Sequence, residues 1–260
     1  MTSDGPSVLY AVLSGLIGLA VGSFLNVCIY RLPRRESLNF PSSHCTSCNR
    51  PLAWYENIPL VSWLVLRGRC RSCGETISVM YPAVEAITAA VFVAGYAIYG
   101  LTPLLAARLL FACAMIVLFA VDLRHHILPN VITLPGIVVG FVFSVFLPPG
   151  WRGSLVGLAA GGFVLFAIAE AYYRLRGVEG LGMGDVKMLS MIGAFLGWQL
   201  MLVTLVLASF AGSLVGVGLI AFGRGGMKAA LPFGTFLAVG ALTAAVAGEP
   251  LLAWYLTLYQ

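Results

Sequence analysis

Apolar positions along this chain come in long unbroken runs, separated by short polar turns. Eight runs approach the ~20 residues that an apolar helix needs to cross a bilayer. They cover residues 7–30, 82–101, 103–122, 130–147, 154–173, 185–198, 199–222 and 229–247. The sixth is short and abuts the seventh, so a tilted or partial span is expected there. The apolar, aromatic tail of residues 249–260 is too short to cross and is expected to rest at an interface. The pattern predicts an all-α polytopic membrane protein with about eight transmembrane helices.

Composition agrees. Of 260 residues, 60% are hydrophobic and 10% charged, against roughly 45–50% and 25% in soluble domains. A cleaved signal peptide is not expected, because no basic residue precedes the first run and Arg31, Arg34 and Arg35 follow it. The net charge of +5 is read as topology rather than as affinity for nucleic acid, and no nucleic-acid partner is expected. With the N-terminus outside and the runs alternating, only Arg108 and Arg152 of the 15 lysines and arginines escape the cytoplasmic side. The reverse orientation inverts that score.

The one long polar stretch, residues 31–81, falls on the cytoplasmic side between the first two helices. Trp54, Tyr55, Trp63, Leu64 and Leu66 offer it a small core. It also carries Cys45-x-x-Cys48 and, 21 residues later, Cys70-x-x-Cys73. Two intervening residues let both thiolates of a pair turn toward one ion, so the quartet predicts a tetrahedral structural zinc site. Arg50, Arg69 and Arg71 are expected to favour thiolates. Disulfides are disfavoured in a reducing compartment, and four thiolates leave no open position for a catalytic water. His44 is expected beside the site rather than in it. Cys28 and Cys113 sit alone in apolar runs and are read as packing residues.

Few acids interrupt the apolar runs, and each calls for an explanation. Glu85 follows Pro82 and suits ordinary helix-start chemistry. Glu170 lies four residues before Arg174 and predicts a local ion pair. Asp122 ends a run, where the helix dipole disfavours an anion; Arg124, His125 and His126 offer partial compensation. Asn130, after Pro129, reads as the cap of the next helix. Asp185 opens an apolar run and could be an N-cap, but Gly180-Leu-Gly182-Met-Gly184 before it lets another backbone approach the acid. A phosphate-loop reading of these glycines lacks the required strand. Asp122 ends an inward run and Asp185 begins an outward one, so both are expected at similar depth. Two carboxyls there would share one proton, the state that an acid–base pair needs. A proton-coupled transporter would more naturally hold its acids at mid-membrane; a zinc-ribbon scaffold would not need them.

With these residues in place, the chain resembles the type IV prepilin peptidase family of intramembrane GxGD aspartic proteases. The resemblance runs from Gly22 to about Phe236. It rests on Gly22-Ser-Phe-Leu-Asn26 through Arg31-Leu-Pro33, the cysteine quartet, Glu56-Asn57-Ile-Pro59, Tyr81-Pro82-x-x-Glu85, Asp122 through Asn130, Gly182-Met-Gly184-Asp185-Val-Lys187, and Leu231-Pro232-Phe233-Gly234. It implies that Asp122 and Asp185 are the catalytic pair. The implied substrates are prepilin or pseudopilin precursors, cut after a glycine at the cytoplasmic face of a bacterial inner membrane. The quartet implies a second activity, N-methylation of the new terminus from S-adenosylmethionine, at residues the sequence does not reveal. The implied organisation is a first transmembrane helix to residue 30, a cytoplasmic zinc-binding domain with a methyltransferase role at 31–81, and a transmembrane peptidase domain at 82–260. Two departures stand out: Thr235 where the family often has proline, and Leu128-Pro129-Asn130 for a commoner isoleucine-proline-aspartate.

Overall fold

A computed structural model describes residues 4–178, 180–222 and 231–258. Their order is α1 (Asp4–Arg31), α2 (Val61–Val65), α3 (Met80–Tyr99), α4 (Pro103–His125), α5 (Asn130–Phe146), α6 (Gly150–Arg176), α7 (Met183–Ala221) and α8 (Phe233–Thr257). Among the described residues there is no strand beyond two isolated bridges. Six helices are long and apolar enough to cross a membrane, and α5 is a shorter apolar helix. This is a multi-pass membrane protein. Of the predicted cytoplasmic cations, Arg224 and Lys228 lie outside the described residues, as does the start of the run at 229–247.

The chain divides into two units, residues 1–109 and 110–260, with the boundary inside α4. In the first unit α1 and α3 run antiparallel at close range. A Cβ on Gly22 would lie 2.7 Å from the Glu85 Cα, and one on Gly18 2.7 Å from the Ala89 Cα. Asn26 donates its amide to the Tyr81 carbonyl at 3.0 Å, locking the end of α1 to the start of α3.

The segment between α1 and α3 forms only part of the apolar core expected of it. Trp54 is 81% exposed and Leu64 66%, while Trp63 and Leu66 are half-buried. Polar contacts hold it as well. Arg31 is buried and donates to the carbonyls of Ser37 (2.8 Å) and Pro41 (2.7 Å). Glu56 is buried with Arg50 at 2.6 Å and the Ala53 N–H at 2.9 Å. Glu85 lies beyond the first turn of α3, contrary to its reading as helix-start chemistry. Its carboxylate takes the Leu60 N–H at 2.8 Å, in a turn where Leu60 holds a φ of 60°.

In the second unit Phe111, Met115 and Leu118 of α4 join Met188, Leu189, Met191 and Ile192 of α7 and Leu237 of α8 in one core. α7 is interrupted at Gly197 (φ 80°, ψ 171°). Its first arm runs with α5, where Gly136 meets Met191 and Gly140 meets Phe195. It runs against α6, where Gly161 meets Leu189 and Gly157 meets Gly193. Its second arm runs against α8: Gly248 meets Leu200, Gly240 meets Thr204 and Ala208, and Gly212 meets Phe236. Both α7 and α8 begin beside Leu128, which approaches Gly184 and Gly234 alike. The first arm and α8 thus set out from one level, and the second arm returns to it. The chain reverses at Gly197, whose positive φ a side chain would strain. The sixth and seventh predicted runs are the two arms of this hairpin. Within the tail, α8 continues without a break through Pro250 to Thr257, and residues 259–260 lie outside the described residues.

Candidate functional site

Asp122 occupies the last turn of α4 and is buried. The unfavourable dipole of its own helix is answered from elsewhere. α8 begins after Pro232 with no side-chain cap and no acid in its first turn, so its leading N–H groups lack partners. Thr235 lends Asp122 one of them: its N–H donates to Oδ2 at 2.7 Å and its hydroxyl to the same oxygen at 3.1 Å. Asp122 thus caps α8 from another helix. To the partial compensation foreseen from Arg124, His125 and His126 the structure adds a partner 113 residues away. The approach requires glycine at 234, because a Cβ there would lie 2.9 Å from Oδ2.

Asp185 is partly buried and is the third residue of α7, not its N-cap. Gly182 holds that place, accepting the Asp185 N–H at 3.1 Å. The Asp185 carboxyl turns back toward Gly182, with Oδ2 3.6 Å from the position of a Cβ there. Asn130 is likewise not a cap. Pro129 precedes α5 without a side-chain bond, and the Asn130 side-chain oxygen Oδ1 accepts from Lys187 Nζ at 2.9 Å. That bond ties the start of α5 to the start of α7. Leu128 then sits against Gly184 on one side and Gly234 on the other. The structure brings Asp122 and Asp185 within electrostatic reach of each other. An ionised carboxyl and a protonated one in the same site supply a base and an acid. Thr235 is the site residue that sequence reasoning missed; its only signal was the departure from proline.

The cysteine quartet lies in the first unit. The Sγ atoms of Cys45, Cys48, Cys70 and Cys73 all fall within 4.8 Å of one another. Cys45 and Cys73 are 3.8 Å apart, the edge of a tetrahedron with metal–sulfur bonds of about 2.3 Å. Each pair is a tight turn closed the same way. The Asn49 N–H bonds to the Cys45 carbonyl and the Gly74 N–H to the Cys70 carbonyl, both at 2.9 Å, with φ 55° and 70° at the closing residues. Of the arginines foreseen to favour thiolates, Arg71 bonds to the Tyr55 hydroxyl and Arg50 pairs with Glu56 while still feeling the charge of Cys70. Backbone donors do that work. The N–H groups of Cys73 and Ser72 pull the Cys70 thiol down to about 6, and those of Cys48 and Ser47 lower Cys45. At Cys73 the Glu75 N–H is outweighed by burial and the surrounding sulfurs, which carry its thiol to about 12. One preformed thiolate among thiols is a donor set that fits a thiophilic cation. His44 stands apart, its Nδ1 2.9 Å from the Ser42 carbonyl, and Glu170 pairs with Arg174 at 2.7 Å as foreseen.

Comparison with known proteins divides the chain as its contacts do. Residues 16–99 match the bacterial peptidase A24 N-terminal domain, and residues 109–217 match the type IV leader peptidase family. Relatives named prepilin leader peptidase/N-methyltransferase include proteins from three genera of bacteria. One from Myxococcus xanthus is 44% identical over 85% of this chain and 66% of its own length. One from Aeromonas salmonicida is 38% identical over 96% of this chain and 94% of its own. One from Klebsiella pneumoniae is 42% identical over 75% and 88%. No solved structure matches.

Proposed function

The chain belongs to the type IV leader peptidase family, as a prepilin peptidase with N-methyltransferase activity, and on that premise we propose that Asp122 and Asp185 are its hydrolytic pair. The observation that carries this reading is that α7, which holds Asp185, and α8, whose Thr235 binds Asp122, both begin against Leu128. The substrate is a prepilin or pseudopilin precursor with a short basic leader ahead of an apolar helix, cut after a glycine. The ionised carboxyl takes a proton from water. The protonated one donates to the scissile carbonyl, and the water oxygen bonds to its carbon. Collapse of the tetrahedral intermediate breaks the C–N bond, and the proton passes to the departing amine. No covalent enzyme intermediate forms.

The domain reading assigns residues 31–81 to a structural zinc in the Cys45, Cys48, Cys70 and Cys73 cage. Four sulfurs would fill the coordination of a zinc ion there and leave it no place for water. Its burial-poor segment depends on that ion for stability. S-adenosylmethionine supplies the methyl group for the freed amine, and its binding residues are not assigned. Arginine and lysine placement supports an inner-membrane protein with its N-terminus periplasmic and both sites cytoplasmic, serving pilus assembly or type II secretion. The test incubates purified protein with a prepilin and S-adenosylmethionine and weighs the products. Leader loss plus one methyl group is expected; an intact precursor refutes the reading.

A further inference from the structure

The bond between Thr235 and Asp122 is more specific than helix capping requires. Both donors of Thr235, N–H and hydroxyl, converge on one oxygen, Oδ2. A cap would be satisfied by the N–H alone. The second bond fixes the plane of the carboxylate, because the hydroxyl approaches the same atom from another direction. Gly234 lies under the same oxygen, so Oδ2 is enclosed by the first turn of α8. The remaining oxygen, Oδ1, has no protein donor among the described residues.

We propose that Thr235 is a positioning residue for hydrolysis, holding Oδ2 of Asp122 so that Oδ1 is the oxygen presented to the attacking water. The inference rests on the reading of Asp122 and Asp185 as the hydrolytic pair. Rotation of a carboxylate about its Cβ–Cγ bond is soft, and an unfixed group would spend much of its time with neither oxygen aligned for proton transfer. Two donors on one oxygen remove that freedom before substrate arrives, which lowers the barrier without adding a contact to the substrate. The signature is a loss in kcat with KM preserved. A proline at 235 would offer neither donor, so this grip belongs to this chain's own sequence and not to the family pattern it departs from.

The experiment uses the full chain purified in detergent, with a prepilin precursor as substrate and Thr235→Ser, Thr235→Val, Thr235→Ala, Thr235→Pro and Asp122→Asn compared at matched thermal stability. Ser keeps both donors and should stay within about twofold of the parent. Val and Ala keep only the N–H; each should lower kcat about tenfold with KM within twofold, the scale of one hydrogen bond to a charged group. Pro loses both donors and fits a first helical turn; its kcat should fall below that of Val. Asp122→Asn should be inactive. Parental kcat in Val and Ala beside an inactive Asp122→Asn overturns the role of Thr235 alone and leaves the hydrolytic pair standing. Cleavage by Asp122→Asn overturns both. A rise in KM with kcat unchanged, or a loss in Ser equal to that in Val, also overturns the proposal.

Discussion

Gly234→Ala is the sharpest perturbation the site allows, since it adds one methyl group and removes nothing. The new carbon would stand 2.9 Å from Asp122 Oδ2, 3.1 Å from its Cγ and 2.9 Å from Leu128 Cδ1. A comfortable carbon–oxygen contact begins at about 3.4 Å, so roughly half an ångström must be found. Leu128 can swing its terminal methyl aside. The carboxylate cannot move freely, because Thr235 holds it at 2.7 and 3.1 Å. Relief comes from stretching those two bonds or tilting the start of α8, and either moves the carboxylate relative to Asp185. Misplacement by about 1 Å can cost about a hundredfold in rate, so half of that should cost about tenfold in kcat. The assay is steady-state cleavage of a precursor peptide, with thermal stability followed in parallel. Because Thr235→Val disturbs the same contact, the double variant should lose less than the product of the single losses. A Gly234→Ala enzyme with kcat within twofold of the parent would refute the reasoning. So would losses that multiply cleanly.

Asp122→Asn and Asp185→Asn should each abolish leader cleavage while the protein still inserts and melts normally; retained cleavage by either tells against the pair. Gly157→Ala should depress the melting temperature by several degrees or prevent folding. Its Cβ would come within 2.5 Å of the Gly193 carbonyl oxygen and 2.8 Å of the Trp198 nitrogen, backbone atoms that cannot step aside. Gly218→Ala, with nothing within 4 Å, should be silent by the same melt. Replacing all four cysteines by serine should remove bound zinc, measured by elemental analysis, and loosen residues 31–81 toward proteolysis. Zinc affinity should fall as pH drops, and fall more steeply below about 6, where the Cys70 thiolate also takes up its proton. Above that pH, zinc binding should release fewer than four protons by calorimetry in two buffers, and a release of four would contradict a preformed thiolate.

The spans were legible in the sequence because a hydrophobic run needs no knowledge of its neighbours. Even the hairpin of α7 was visible, as two runs meeting near Gly197. Inferences that assumed local partners fared worse. Asp185 and Asn130 look like helix caps one residue at a time, yet Gly182 and Pro129 hold those positions and the side chains turn to other work. Asp122 seemed to need its adjacent cations, but its strongest partner is far along the chain at Thr235. The cysteine spacing announced a metal cage, and the reason for its thiolate lay in backbone N–H groups that no residue type advertises. Trp54 and Leu64 suggested a core that the fold leaves exposed, because a short insertion pinned by polar contacts has no opposite layer to bury them against.

The reversal at Gly197 sets a limit on length. The arm ahead of it, residues 183–196, rises only about 21 Å, and the 17 residues of α5 beside it about 26 Å. Both fall short of a hydrocarbon slab of roughly 30 Å. Lipid flanking this pair has to pinch inward, or polar headgroups have to sink to meet it. Either adjustment brings the aqueous boundary closer to Asp185 than the lengths of α6 or α8 would, giving a hydrolase embedded in oil a supply of the one reactant oil excludes.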